Sequence, residues 1–120
     1  MGVEEIIEYL KSVGIDPVYP LAFPADTPNR AYMLETGQGF GSKGSVNDVV
    51  WTFTMKAEHP SQSERMGKVL IDLLDKKTDL VIGEKQIIFI KSQHFIPDFL
   101  GKSPEGSYYH MVIFKVLVSD

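Results

Sequence analysis

Residues 46 to 57 constrain the fold more than any other stretch of the chain. Val49, Trp51, Phe53, Met55 and Ala57 alternate with Val50, Thr52, Thr54 and Lys56, and side chains two residues apart share one face of a strand. One face of this strand is therefore expected to be buried and the other mostly polar. Twelve residues at about 3.3 Å each give a strand of roughly 40 Å, about twice the usual length. Ala31 to Thr36 is the partner strand this pattern suggests, and the glycine-rich Gly37 to Ser45 between them suits a β-hairpin. Part of that hairpin is expected to project beyond the domain.

A strand with one apolar face needs a helix or a second sheet to cover it, and two helical patterns are present. Val3, Ile6, Ile7, Leu10 and Val13 recur at three- and four-residue intervals, with Glu4 and Glu5 near the positive end of the helix dipole. Gly14 is placed to stop this helix in the left-handed conformation, with Ile15 packing back on its last turn. The second pattern follows Pro60: Ser61-Gln62-Ser63-Glu64 has the spacing of a capping box, and Met66, Val69, Leu70, Leu73 and Leu74 form the apolar stripe behind it. Its end is expected near Lys76 and Lys77, whose charges suit a helix C-terminus.

Four of the seven prolines fall between Asp16 and Pro28, which disfavours both helix and central strand there. Val18, Tyr19, Leu21 and Phe23 make this arm too apolar for a free linker, so it should lie extended against the domain or a neighbouring subunit. Gln86 to Gln93 and Tyr108 to Val118 read as strands. Both faces of the second are apolar, which places it centrally. Pro97, Gly101, Pro104 and Gly106 mark an ordered irregular loop between them. The order helix, arm, hairpin, helix, hairpin predicts a single domain over residues 1–120. Its fold class is α+β, an antiparallel or mixed sheet of about four strands packed against helices.

Composition narrows the function. A formal charge of −4 with scattered cations and two arginines, Arg30 and Arg65, argues against a surface built to bind nucleic acid. No apolar run is long enough to span a bilayer, and Glu4, Glu5 and Glu8 stand where a signal peptide would be basic, so no export signal is expected. The absence of cysteine excludes disulfides and thiolate zinc sites.

Catalytic motifs fit poorly. Gly39-x-x-x-x-Gly44 is followed by Ser45-Val46 where a phosphate-binding loop needs Lys and then Ser or Thr, and Ser42 occupies the third glycine position of a dinucleotide-binding pattern. His59, His94 and His110 with Glu58 lack metal-ligand spacing, although strand pairing would bring His94 near Tyr108 and His110. No Gly-x-Ser-x-Gly elbow is present. Trp51 is expected in the core, while Phe40 and Phe99, each in a glycine- or proline-rich loop, are divided between subunit contact and internal packing.

Two turn-rich signatures flank this core: Pro24-Ala25-Asp26-Thr27-Pro28 leading to Glu35-Thr36-Gly37-Gln38, and Pro97-Asp98-Phe99-Leu100-Gly101 followed by Glu105-Gly106-Ser107-Tyr108. In order and spacing, nearly end to end, the chain resembles the minor capsid proteins of long-tailed bacteriophages, a family similar to tail terminators and head–tail completion proteins. Glu35 replaces an Asp usual there, Gln38 stands where a second Gly is common, and Lys56 where an Arg often ends the strand. The resemblance implies a tail-terminator-like fold and a structural virion protein, not an enzyme. It would act in tail completion and head–tail joining, in the virion, after assembly in the host bacterial cytoplasm. It implies a homo-oligomeric ring, expected to be a hexamer, that caps the tail tube and meets the head connector proteins. No cofactor, metal or membrane is implied, and DNA would pass through the ring without specific binding. The expected partner-interface residues are Gly37, Gly39, Phe40 and Lys43 of the hairpin and Pro97, Phe99, Leu100 and Glu105 of the late loop. Two other readings stay open: a small ligand-binding or hydrolytic α+β domain with the glycine loop as a lid, and a capsid-decorating protein that forms no ring.

Overall fold

A computed structural model describes residues 1–43 and 46–119, with the side chains of 40–46 outside the described set. The elements are α1 (Val3–Ser12), β1 (Val18–Pro20), β2 (Ala31–Lys43), β3 (Val46–Ala57), α2 (Pro60–Leu74), β4 (Thr78–Ile82), β5 (Lys85–Ser92), β6 (Asp98–Lys102) and β7 (Tyr108–Ser119). They form an α+β fold with one mixed sheet of seven strands in the order β1-β2-β3-β7-β5-β4, with β6 also paired to β7. The sheet is larger than the four strands expected. β1 pairs in parallel with β2, and the other pairings are antiparallel.

The long alternating strand behaves as its pattern dictates. β3 pairs with β7 without interruption from Val46 opposite Ser119 to Ala57 opposite Tyr108, in a molecule whose longest extent is 46 Å. Trp51, Phe53, Met55 and Ala57 are fully buried, facing Phe114, Val112 and His110 across the ladder. Phe53 and Phe114 meet edge to face at 5.7 Å, the arrangement the ring quadrupoles favour. β7 is central, with β3 along one edge and β5 followed by β6 along the other.

Helix α2 covers β3, β7 and β5, while α1 touches β1 and β2 at one end of the strand order and β4 at the other, so the sheet is curled. Ile6 and Leu10 of α1 and Leu70 and Leu74 of α2 are buried in the core. Each fully buried side chain of this size contributes about 1.5–3 kcal/mol. Gly14 ends α1 with φ +94°. The Ile15 N–H donates to Leu10 O and the Gly14 N–H to Lys11 O, the paired bonds of a Schellman cap, and Ile15 is buried as expected.

Several expectations need correction. The Ser61–Glu64 capping box does not form: Pro60 occupies the first helical position, where its fixed φ and missing N–H are tolerated, and the cap moves back to His59. Ser63 then turns inward. Helix α2 ends at Leu74, before Lys76 and Lys77, because Asp75 is extended and Lys76 has φ +64°. β2 continues seven residues past Thr36, with a register shift between Gln38 and Ser42 that absorbs the glycines. The arm from Asp16 to Pro28 contributes the short edge strand β1, and Phe23 lies 6.0 Å from the Tyr109 ring on the face of the sheet away from the helices.

Candidate functional site

The segment from Ser92 to Lys102 carries the most unusual surface. Its start is tied down by polar contacts: the Ser92 N–H donates to Asp75 Oδ1 at 2.8 Å, and Ser92 Oγ donates to the His94 carbonyl at 2.8 Å. His94 Nδ1 lies 3.3 Å from Asp98 Oδ2. Pro97 is buried against α2 at Gly67, where a Cβ would come within 2.5 Å of the proline ring. With the chain pinned at Pro97, the residues on either side turn outward. Phe95 is 100% exposed, Ile96 58%, Phe99 57% and Leu100 52%. Four large apolar side chains are thus exposed within six residues, Phe95 and Ile96 beside Lys68, Ile71 and Asp72 of α2 and Leu100 beside Tyr109, and exposed apolar surface of this extent marks interaction surfaces.

The patch sits beside an open strand edge. Among the described residues β6 pairs with β7 alone, and a bulge between Phe99 and Gly101 leaves Leu100 unpaired, with Gly101 at φ +136°. Phe99 lies opposite His110, their rings 5.2 Å apart. His110 is buried, its Nδ1 2.6 Å from Ser63 Oγ. Burial lowers the His110 pKa below its usual value, with the Glu64 charge working in the opposite direction. A serine beside a histidine suggests nucleophilic chemistry, but Ser63 has no exposed surface. The pair is a polar tie between α2 and β7.

The expected interface residues fall into two separated groups. Gly37 is exposed in β2 opposite Val50, with open space where a Cβ would project. Gly39 has a different role, since a Cβ there would lie 2.5 Å from Asp48 Cβ, and it lets the hairpin arms approach closely. Asp48 is in turn 3.4 Å from Lys115 Nζ. The side chains of Phe40 and Lys43, and all of Gly44 and Ser45, lie outside the described residues. At the other end of the β3–β7 ladder, Phe99 and Leu100 are exposed, whereas Pro97 is turned inward and presents no surface to a partner. Glu105 is exposed in the turn after β6, its carboxyl held below the usual pKa by backbone and Ser103 hydrogen bonds. Gly37 is level with Val50 of β3 and Phe99 with Met55, through His110, so the described members of the two groups are five residues, roughly 17 Å, apart along the strand direction.

Phe95 and Ile96 were not singled out from the sequence. The available signal was an apolar pair between a strand and a proline, but nothing in it distinguished an outward turn from burial. His94 does not face His110, because Gln93 already bonds to Ile113 O and it is β6 that lies opposite His110. Among the described residues there is no group of three or more His, Asp or Glu side chains able to hold a metal ion, and no helix is long and apolar enough to cross a membrane. In comparisons with known proteins, no family model and no curated protein matches the chain.

Proposed function

We propose that this protein is a structural virion subunit of a long-tailed phage, acting at the head–tail junction as a homo-oligomeric ring of six that caps the tail tube and meets the head connector. The observation that carries the assembly reading is the exposed run Phe95, Ile96, Phe99 and Leu100 beside the open edge of β6. A 120-residue domain with such a patch gains apolar burial when a second copy covers it. The two separate groups of expected interface residues fit a heterologous contact, which needs two different patches on each subunit and closes into a ring when the rotation allows. The phage assignment rests on the sequence resemblance, and the contacts to tube and connector belong to it.

Light scattering across a concentration series, with negative-stain images of the same fractions, tests the ring. Six copies of a 13.5 kDa chain give a particle of about 81 kDa with a central hole. Replacing Phe95 and Phe99 with Ser should shift the protein toward monomer while leaving its thermal unfolding nearly unchanged, because both side chains are exposed. A wild-type protein that stays monomeric at high concentration, alone and with purified tail tubes, overturns the ring and favours a capsid-decorating role.

A further inference from the structure

Both arginines of the chain line one cavity. Arg30 immediately precedes β2, Tyr32 lies on it, and Gln62, Arg65, Met66 and Val69 follow at helical spacing along one side of α2. Together they enclose a recess of about 150 Å³. In a protein of net charge −4, the placement of both guanidinium groups at one recess requires an account.

The cationic groups of the recess have no anionic partner. Among the described residues neither Arg30 nor Arg65 has an ion pair or side-chain hydrogen bond, although other charged pairs form at Glu64–Lys68 and Asp48–Lys115. No carboxylate lines the recess. Gln62 also lines the recess, its Oε1 buried with no partner, so this amide offers one acceptor as well as its N–H donors. The Tyr32 hydroxyl has no hydrogen bond within the described protein. Burial pushes its pKa up to about 12, so it stays protonated and able to donate. Two unneutralised guanidinium groups and a phenol are complementary to a bidentate oxyanion. The remaining walls, Met66, Val69 and the Tyr32 ring, are apolar and suit a carbon stem better than a fully hydrated ion.

We infer that the recess between the start of β2 and the first three turns of α2 binds a carboxylate carried on a short apolar stem, either a free organic acid or a glutamate side chain presented by another protein chain. This goes beyond the assembly role and does not depend on it.

Titration of the isotopically labelled protein with butyrate tests the site, with sodium chloride at matched ionic strength as the control. The arginine Nε–H signals of Arg30 and Arg65, the Gln62 side-chain amide and the Tyr32 ring should shift together and saturate. Arg30→Gln and Arg65→Gln should each weaken binding by about tenfold, the worth of one charge-assisted contact, while both variants melt like the wild type because the two residues are exposed. A glutamate capped at both ends, titrated in parallel, separates the sources. Tighter binding than butyrate assigns the site to a protein partner, and equal or weaker binding assigns it to a free acid. Shifts no larger than those with chloride, shifts that persist in the double variant, or tighter binding of inorganic phosphate than of either carboxylate would each overturn the inference.

Discussion

Gly67→Ala measures how firmly the projecting segment is clamped to the core. Gly67 lies inside α2, where intrinsic propensity favours Ala over Gly by about 1 kcal/mol. On that ground alone the substitution would stabilise the protein. Packing opposes it. The added Cβ would stand 2.5 Å from Pro97 Cγ, 2.9 Å from Pro97 Cβ and 2.7 Å from Met55 Cε, against the roughly 3.5–4.0 Å at which carbon atoms attract. Met55 is fully buried and cannot swing its methyl into water, and the proline ring cannot rotate away, so the backbone near Pro97 must move by about 1 Å. Overpacking of this kind costs about 1–3 kcal/mol, and rigid neighbours put this site in the upper half of the range. The net effect is a loss of about 1–2 kcal/mol, or a melting temperature lower by roughly 4–8 °C in a 120-residue domain. Trp51, the single tryptophan and fully buried, reports unfolding through its fluorescence. Pro97→Ala removes the struck ring, so the double variant should be more stable than the sum of its parts predicts, by about 1 kcal/mol. A rise in melting temperature for Gly67→Ala, or strict additivity in the cycle, would refute the clamp and with it the reason that Phe95 and Phe99 face outward.

Other perturbations test the remaining structure. Gly39→Ala should destabilise the hairpin by about 1–3 kcal/mol through its collision with Asp48, whereas Gly37→Ala, whose Cβ meets open space, should be nearly neutral; urea unfolding of the two variants compares them directly. His110 has a lowered pKa in the folded state, so the unfolded chain binds more protons. Its contribution to stability is complete above the unfolded value of about 6.5 and is lost as pH falls from there through the folded value. His110→Gln should flatten that part of the stability–pH curve measured by urea titration. Ser63→Ala should cost about 1–3 kcal/mol in urea unfolding, because it leaves the buried His110 Nδ1 without its partner.

The sequence resolves this fold where periodicity is long and loses it where elements are short. β3 and the last strand were legible almost to the residue, because twelve alternating positions leave little freedom of register. β1, with three residues between prolines, and β6, with a glycine bulge, contain too few alternations to show as strands. β4 follows two lysines and carries Asp79 at φ +58°, so its pairing is set by the turn at Gly83 and by α1 packing beyond it. The Ser-x-x-Glu spacing misled because Pro60 is the stronger helix start. The site shows the same limit: the late loop is an expected interface in which composition ranks Pro97 and Phe99 alike. Contact with Gly67, thirty residues earlier in the chain, buries one and exposes the other.

That division bears on how the patch would be used. An open strand edge can recruit another chain through its backbone, and such pairing is usually blunted by charges, bulges or short length. β6 has all three: it spans five residues, carries Asp98 and Lys102 at its ends and bulges at Leu100. Lys102 is also drawn over the Tyr108 ring, at 5.5 Å from its centroid. The edge is thus a poor template for strand addition, while the apolar side chains before and within it stay outward. In the proposed assembly, burial of Phe95, Ile96, Phe99 and Leu100 against a partner would supply affinity through side-chain packing, with the shape of the partner's pocket, more than backbone pairing, setting specificity. In that assembly, a domain built this way would resist indiscriminate edge-to-edge pairing while keeping these apolar side chains available to a partner.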